Sequence, residues 1–244
     1  METSIDYGSQ LRLGILIPSG NAIAEPQIHA MLPAGVVALI TRLELRGSSE
    51  PELLEMARHV EAGAGLLADA EVDEIIFHCT AVSTFSSTMG TDIQHRIARA
   101  SGKPTFSTSE AIVAGLKALK AKNIVLLTPY LPEVNARECA FLAHHGFNVL
   151  KQHGLGINSN KDMALLPEKI WLDLAIEHQH PLADAYFISC TAVKSIEYLE
   201  KIEALLDRPV ITSNQVMVWY ALRKNGISQH RSGLGHLFDH ALEF

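Results

Sequence analysis

Cysteine is scarce in this chain, with three residues in 244. So low and odd a count argues against a disulfide framework and predicts a reducing, cytoplasmic setting. Long apolar runs are also missing. No stretch reaches the roughly 18 residues that a membrane-spanning helix needs, so no membrane partner is expected. The opening METSIDYGSQ has neither a basic start nor an apolar segment, which predicts no signal peptide. Positive charge is in deficit: 20 Lys and Arg face 27 Asp and Glu, a formal net charge of −7. That disfavours nucleic acid as a partner. No phosphate-binding loop or serine-hydrolase elbow is present, and the chain has no Pro/Ser/Gly-rich linker.

What is present is ordinary globular material, 48% hydrophobic and 19% charged, enough for one large core or two small ones. Short apolar runs alternate with helical patterns from end to end. Residues 11–17, 36–43, 74–78, 104–106, 123–128, 147–151, 185–189 and 210–212 read as strands. Helical spacing falls at 50–68, 93–100, 132–145 and 194–206, and Gly146 sits where a helix C-cap glycine belongs. Such alternation predicts an α/β fold with parallel, helix-covered sheets.

The sequence also repeats itself. EVDEIIFHCTAVSTF around Cys79 matches PLADAYFISCTAVKSI around Cys190, with Asp73 aligned to Asp184. The same interval separates GILIPS, ending at Ser19, from VLLTPY, ending at Tyr130. KPTFSTSE from Lys103 resembles RPVITSNQ from Arg208. Two related halves are therefore expected.

In parallel α/β sheets, ligands bind beyond the carboxyl ends of the strands. Those ends here carry Ser19-Gly20-Asn21, Cys79-Thr80-Ala81, Ser107-Thr108-Ser109, Thr128-Pro129-Tyr130, Cys190-Thr191-Ala192 and Thr212-Ser213-Asn214. Each is expected to lead into a helix, whose free N–H groups favour an anion. This is a carboxylate or phosphate site made without cations, with Ser19, Thr80, Ala81, Thr191 and Ala192 among its candidate contacts. A cysteine at such a turn is where thiolate becomes available. Cys79 and Cys190 are the catalytic candidates, while Cys139, on an apolar helix face, is expected only to pack.

Other signals point to packing rather than chemistry. Gly63-Ala64-Gly65 with Ala68 has a dinucleotide-like spacing but lies inside a helical stretch. His78 should point away from Cys79 along the strand and act as a core histidine. The pairs His178/His180 and His144/His145 lack further zinc ligands and are expected at the surface.

Taken together, PSGN, HCTAVS, TPYLPEVN, LGINSN, SCTAV, PVITSNQ and GLGHLF resemble the maleate isomerase and arylmalonate decarboxylase branch of the aspartate/glutamate racemase superfamily. The similarity runs from about Leu11 to Phe238. It implies two flavodoxin-like parallel-sheet lobes related by a pseudo-twofold axis, 1–108 plus 214–244 and 109–213, with the active site between them. It implies no metal and no organic cofactor. Asn21 and Asn160 match asparagines that bind a substrate carboxylate, and Tyr130 matches the motif tyrosine. Cys79 matches the isomerase nucleophile and Cys190 its proton-donating partner. The decarboxylases keep the second cysteine but have glycine at the first, so Cys79 speaks against simple decarboxylation. The isomerases carry bulky aliphatic residues after the first cysteine, where this chain has Thr80-Ala81-Val82.

The function expected from these residues is a cofactor-independent isomerisation of maleate or a related cis-butenedioate. Cys79 thiolate would add to the double bond and Cys190 would donate and recover a proton at the neighbouring carbon. The alternatives are a two-thiol racemase of a small amino or hydroxy acid, a malonate-type decarboxylase, or a carboxylate-binding protein without chemistry. A small carboxylate substrate is common to all, and a homodimer or higher homo-oligomer is the default assembly.

Overall fold

Among the described residues eight strands form from eight short apolar runs, the central ones covered by helices on both faces. The computed structural model describes residues 5–229 and 232–242; residues 1–4, part of the opening read for a leader, lie outside it. The first half runs β1 (Leu11–Pro18), α1 (Ala24–Met31), β2 (Val36–Leu43), α2 (Glu50–Arg58), α3 (Val60–Asp69), β3 (Glu74–Phe77), α4 (Thr80–Ser83), α5 (Met89–Ser101) and β4 (Thr105–Ser107). After α6 (Thr108–Ala118) come β5 (Asn123–Thr128), α7 (Pro132–His144), β6 (Asn148–Gly154), α8 (Asn160–Leu165) and α9 (Ile170–Glu177). β7 (Ala185–Ile188), α10 (Leu199–Leu206), β8 (Val210–Thr212), α11 (Ser213–Lys224) and a 3₁₀ turn (His236–Asp239) complete the order.

The strands make two four-stranded sheets, β2-β1-β3-β4 and β6-β5-β7-β8, parallel throughout. Identical order in both halves is the structural form of the repeat. It extends to side chains. Asp73 accepts from the Arg12 amide at 2.7 Å, and Asp184 accepts from the Asn123 amide at 2.7 Å, so each aspartate pins the start of its neighbouring central strand. Central strands are buried along nearly their full length, whereas the edge strands β2 and β6 are mostly half-exposed.

One apolar cluster joins the inward faces of the two sheets through α6 and α11. Residues 213–222 of α11 are all buried, which makes it a central helix rather than a surface one. Its start is secured by a capping box between Thr212 and Gln215. The expected helix over 50–68 is two helices, broken at His59 (φ −101°, ψ 5°). The break lets α2 pack on α4 while α3 packs on β1, β2 and α5. Gly63 belongs to that packing, since a Cβ there would lie 2.8 Å from Leu43 and 2.9 Å from Leu16. Gly146 has φ +86°, the left-handed geometry of a helix C-terminus. Among the described residues no helix is long and apolar enough to cross a membrane.

Candidate active site

The carboxyl ends of β1, β3, β5 and β7 bring most of the candidate residues together. Cys79 follows β3 and caps the short helix α4; it is 4% exposed. Cys190 follows β7 and is 3% exposed. Its sulfur accepts from the Ala192 amide at 3.2 Å and lies 3.8 Å from the Met163 sulfur. No helix starts there, contrary to expectation. Residues 191–198 form turns, and α10 begins only at Leu199, not at 194. Cys190 itself has φ +143°, a region that residues with side chains rarely adopt. Its backbone N–H donates to Ser213 Oγ at 3.1 Å, which helps hold that geometry.

Burial pushes both thiols up to about 12. The amides of Val82 and Ala81 oppose this for Cys79, while the negative charge of Cys190 adds to it. For Cys190 the Tyr130 hydroxyl and the Ala192 amide oppose the rise. The charge of Cys190 thus reaches Cys79, and Ser213 Oγ joins the two turns, accepting from the Cys190 amide and from Thr80 Oγ1. Tyr130, 3% exposed, is pushed well above its ordinary value by burial and then by the charge of Cys190.

Asn21 is fully buried. Its Oδ1 accepts from the Ile23 and Ala24 amides, both at 2.9 Å, and its Nδ2 donates to Thr191 Oγ1 at 3.0 Å across the cleft. Thr80 Oγ1 donates to Ser213 Oγ at 2.8 Å, a second bridge between the halves. Asn160, at the start of α8, donates through Nδ2 to the Leu45 carbonyl at 3.2 Å. Ala81 and Ala192 are buried beside the cysteines. Ser19 differs from the rest: it is exposed, and its hydroxyl accepts from the Leu45 amide at 3.1 Å, bracing the segment after β2.

Sequence reasoning missed several neighbours. His78 behaves as expected, buried and turned away from its cysteine, but it anchors a network: its ring bonds Thr108 Oγ1 at 3.0 Å and Asn214 Oδ1 at 2.8 Å. Asn214 in turn donates to the Thr191 carbonyl at 3.2 Å and to Gln27 Oε1 at 2.7 Å. Burial holds His78 down to about 4, so it is neutral at physiological pH. Arg42 donates to the Asn21 carbonyl at 2.7 Å, placing a cation directly behind the Asn21 loop of an otherwise acidic protein. Glu138 lies behind Cys190. A signal for it did exist, because Val134, Glu138, Phe141 and Leu142 fall on one helical face and are all buried.

Three of the four histidines expected at the surface need correction: His145 is partly buried against the Phe141 ring. His178 and His180 are partly buried rather than surface residues, and the His178 ring stacks on His153 with centroids 4.4 Å apart. Among the described residues no cluster of three or more His, Cys, Asp or Glu is arranged to hold a metal. A cavity of about 350 Å³ lined by Gln94, Glu110, Phe141 and Tyr220 contains neither thiol.

Against known proteins, the family model for arylmalonate decarboxylase matches residues 13–238. The chain belongs to the arylmalonate decarboxylase family. Within and around that family, the arylmalonate decarboxylase of Bordetella bronchiseptica is 32% identical over 143 residues, covering 57% of this chain and 60% of that protein. A maleate isomerase of Nocardia farcinica is 25% identical over 240 residues, covering 93% of this chain and 94% of the relative. Among solved structures, a mutant Nocardia farcinica maleate cis-trans isomerase with a covalently bound succinylcysteine intermediate superposes with a TM-score of 0.88 at 22% identity. It covers 93% of this chain and 98% of its own. A crystal structure of arylmalonate decarboxylase gives 0.79 at 25% identity, covering 94% of this chain and all of its own. The fold of the family is thus the fold described above.

Proposed function

We propose that this chain is a cofactor-independent cis-trans isomerase of maleate or a close cis-butenedioate. The observation that carries the reading is the pair Cys79 and Cys190, on equivalent strand ends of the two sheets, with the turns that follow them joined through Ser213 Oγ. Cys79 thiolate adds to C2 of the double bond. The electron pair moves onto C3 and its carboxylate, and the Cys190 thiol protonates C3 to give a succinyl thioether. The C2–C3 bond is now single and rotates. Cys190 thiolate then removes the proton, the double bond reforms, and Cys79 leaves as thiolate. Asn21, Tyr130 and Asn160 would hold the carboxylates, with Ala81, Val82 and Ala192 amides stabilising the sulfur and enediolate charge. The succinylcysteine described for the Nocardia relative supports this chemistry.

Burial makes thiolate scarce in the closed cleft, so deprotonation of Cys79 belongs to the opening and substrate-entry step. We further propose a cytoplasmic homo-oligomer, in keeping with three free cysteines. The proposed lobes are 1–108 plus 214–244 and 109–213; packing of α11 on α1 supports returning the last helix to the first lobe, while its packing on α6 ties it to the second as well.

The test is proton NMR of the purified protein with maleate in deuterated buffer. Fumarate should appear with the natural chain and be lost with Cys79→Ser. Fumarate formed at the natural rate by Cys79→Ser would sink the scheme. The match to the decarboxylase family favours a second reading, decarboxylation of a substituted malonate. That reaction would release carbon dioxide and survive loss of Cys79 but not of Cys190.

A further inference from the structure

The two thiols are equivalents by sequence repeat and by fold, yet the proposed reaction needs one as nucleophile and the other as acid. Burial affects both alike, and the amide bond from Ala192 at 3.2 Å falls on Cys190, the thiol that must act as acid, so amide contacts do not account for the roles. The residue immediately before each cysteine does separate them. His78 precedes Cys79, is neutral, and bonds only to the uncharged Thr108 and Asn214 side chains. Ser189 precedes Cys190, is fully buried, and donates its hydroxyl to Glu138 Oε1 at 2.6 Å.

Glu138 is 1% exposed. Its second oxygen, Oε2, is also buried and has no hydrogen-bond partner among the described residues. A buried carboxyl left half-satisfied costs stability and calls for an explanation. Nor is it paired with a cation among the described residues. Its neighbour Arg137 donates instead to Glu50 at 2.5 Å and lies over the Phe85 ring. The titratable groups that feel its charge are Cys190, Tyr130 and Cys139, each held more firmly protonated by it.

We propose that Glu138, tethered by Ser189 behind Cys190, is a positioning residue that assigns the acid role to Cys190 and leaves the nucleophile role to Cys79. This rests on the two-thiol reading above. A negative charge behind Cys190 disfavours its thiolate, whereas the neutral His78 behind Cys79 brings no such charge. Burial holds the Glu138 carboxyl up to about 7, so its charge develops as pH rises through neutrality. Discrimination between the thiols therefore grows over that same interval.

The test is alkylation by iodoacetamide between pH 6 and 9, with labelling of Cys79 and Cys190 followed by peptide mass spectrometry. In the natural chain the Cys79-to-Cys190 labelling ratio should climb about tenfold as pH passes 7, the change expected for one pH unit of proton affinity. Glu138→Gln keeps an acceptor for Ser189 and removes the charge. It should flatten the ratio by making Cys190 about tenfold more reactive above pH 7. Should the glutamine variant not fold, Glu138→Met of similar volume is expected to give the same flat ratio. A ratio that climbs equally in the variants, or faster labelling of Cys190 than of Cys79 in the natural chain, overturns the proposal. Labelling does not require turnover. Failure of the two-thiol reading would show separately, as unchanged fumarate production by both Cys79→Ser and Cys190→Ser.

Discussion

Burial shifts Glu138 and His78 toward their neutral forms, and the sign of each pH effect follows from which form is neutral. Glu138 is held from 4.5 up to about 7 in the folded protein. The folded state therefore keeps a proton that the unfolded chain has lost, and stability falls as pH rises from about 4.5 to 7. Glu138→Gln lacks this loss. It should gain on the natural chain by on the order of 3 kcal/mol across that interval, read as the difference in urea-unfolding free energy at pH 4.5 and 8. Equal pH dependence in the two proteins would show that the carboxyl ionises freely. His78 works in the opposite sense. Held at about 4, it stays neutral while the unfolded chain protonates, so its contribution is lost as pH falls from about 6.5 to 4. At this scale the cysteines were legible because they recur in a repeated tetrapeptide, and Asn21, Tyr130 and Asn160 because they sit in recognisable motifs. Glu138 was not singled out, since one acidic residue in a helical pattern reads as solvent-facing until the whole stripe is buried.

Elements with strong period and turn chemistry are close to expectation. β2, β5 and β8 begin and end where their apolar runs do. Elements whose limits depend on neighbours departed: α2 and α3 separate at His59 because each packs on a different partner, and the residues after Cys190 make turns where helical spacing predicted a helix. The seam between α6 and α11 gives a direct test of packing at this level. A Cβ on Gly115 would lie 2.4 Å from Val216 Cγ2, on a branched side chain with little freedom to move. Gly115→Ala should therefore lower stability by about 1–3 kcal/mol through overpacking, outweighing the helix-propensity gain of about 1 kcal/mol. The urea midpoint checks it, and a raised midpoint would mean the helices can part at no cost.

The whole molecule closes its cleft with direct contacts between the halves. Asn158 Oδ1 accepts from the Ser48 amide at 2.9 Å and from the Ser48 hydroxyl at 3.1 Å. The Asn160 amide donates to the Arg46 carbonyl at 3.0 Å, and Arg137 reaches Glu50. The Asn158 and Asn160 contacts join the segment after β2 to the start of α8, at the end of the cleft that Asn160 occupies, and the Arg137 contact joins α7 to α2. Asn158→Ala removes both bonds to Ser48. It should speed iodoacetamide labelling of Cys79 and Cys190 together by several-fold, as expected for losing about 1 kcal/mol of closure. Labelling of Cys139, outside the cleft, should stay unchanged. Acceleration of Cys139 as well would point to general loosening rather than opening.

By itself, the sequence determined the layered α/β class, the duplication and the two thiols, because apolar period, turn residues and repeated motifs are local properties of the chain. Tertiary structure alone decided what lies behind each thiol. The contact between Ser189 and Glu138 spans 51 residues, that between His78 and Asn214 spans 136, and that between Asn21 and Thr191 spans 170. Such separations leave no periodic trace, and burial, which sets the charge of every group involved, exists only once both sheets have come together.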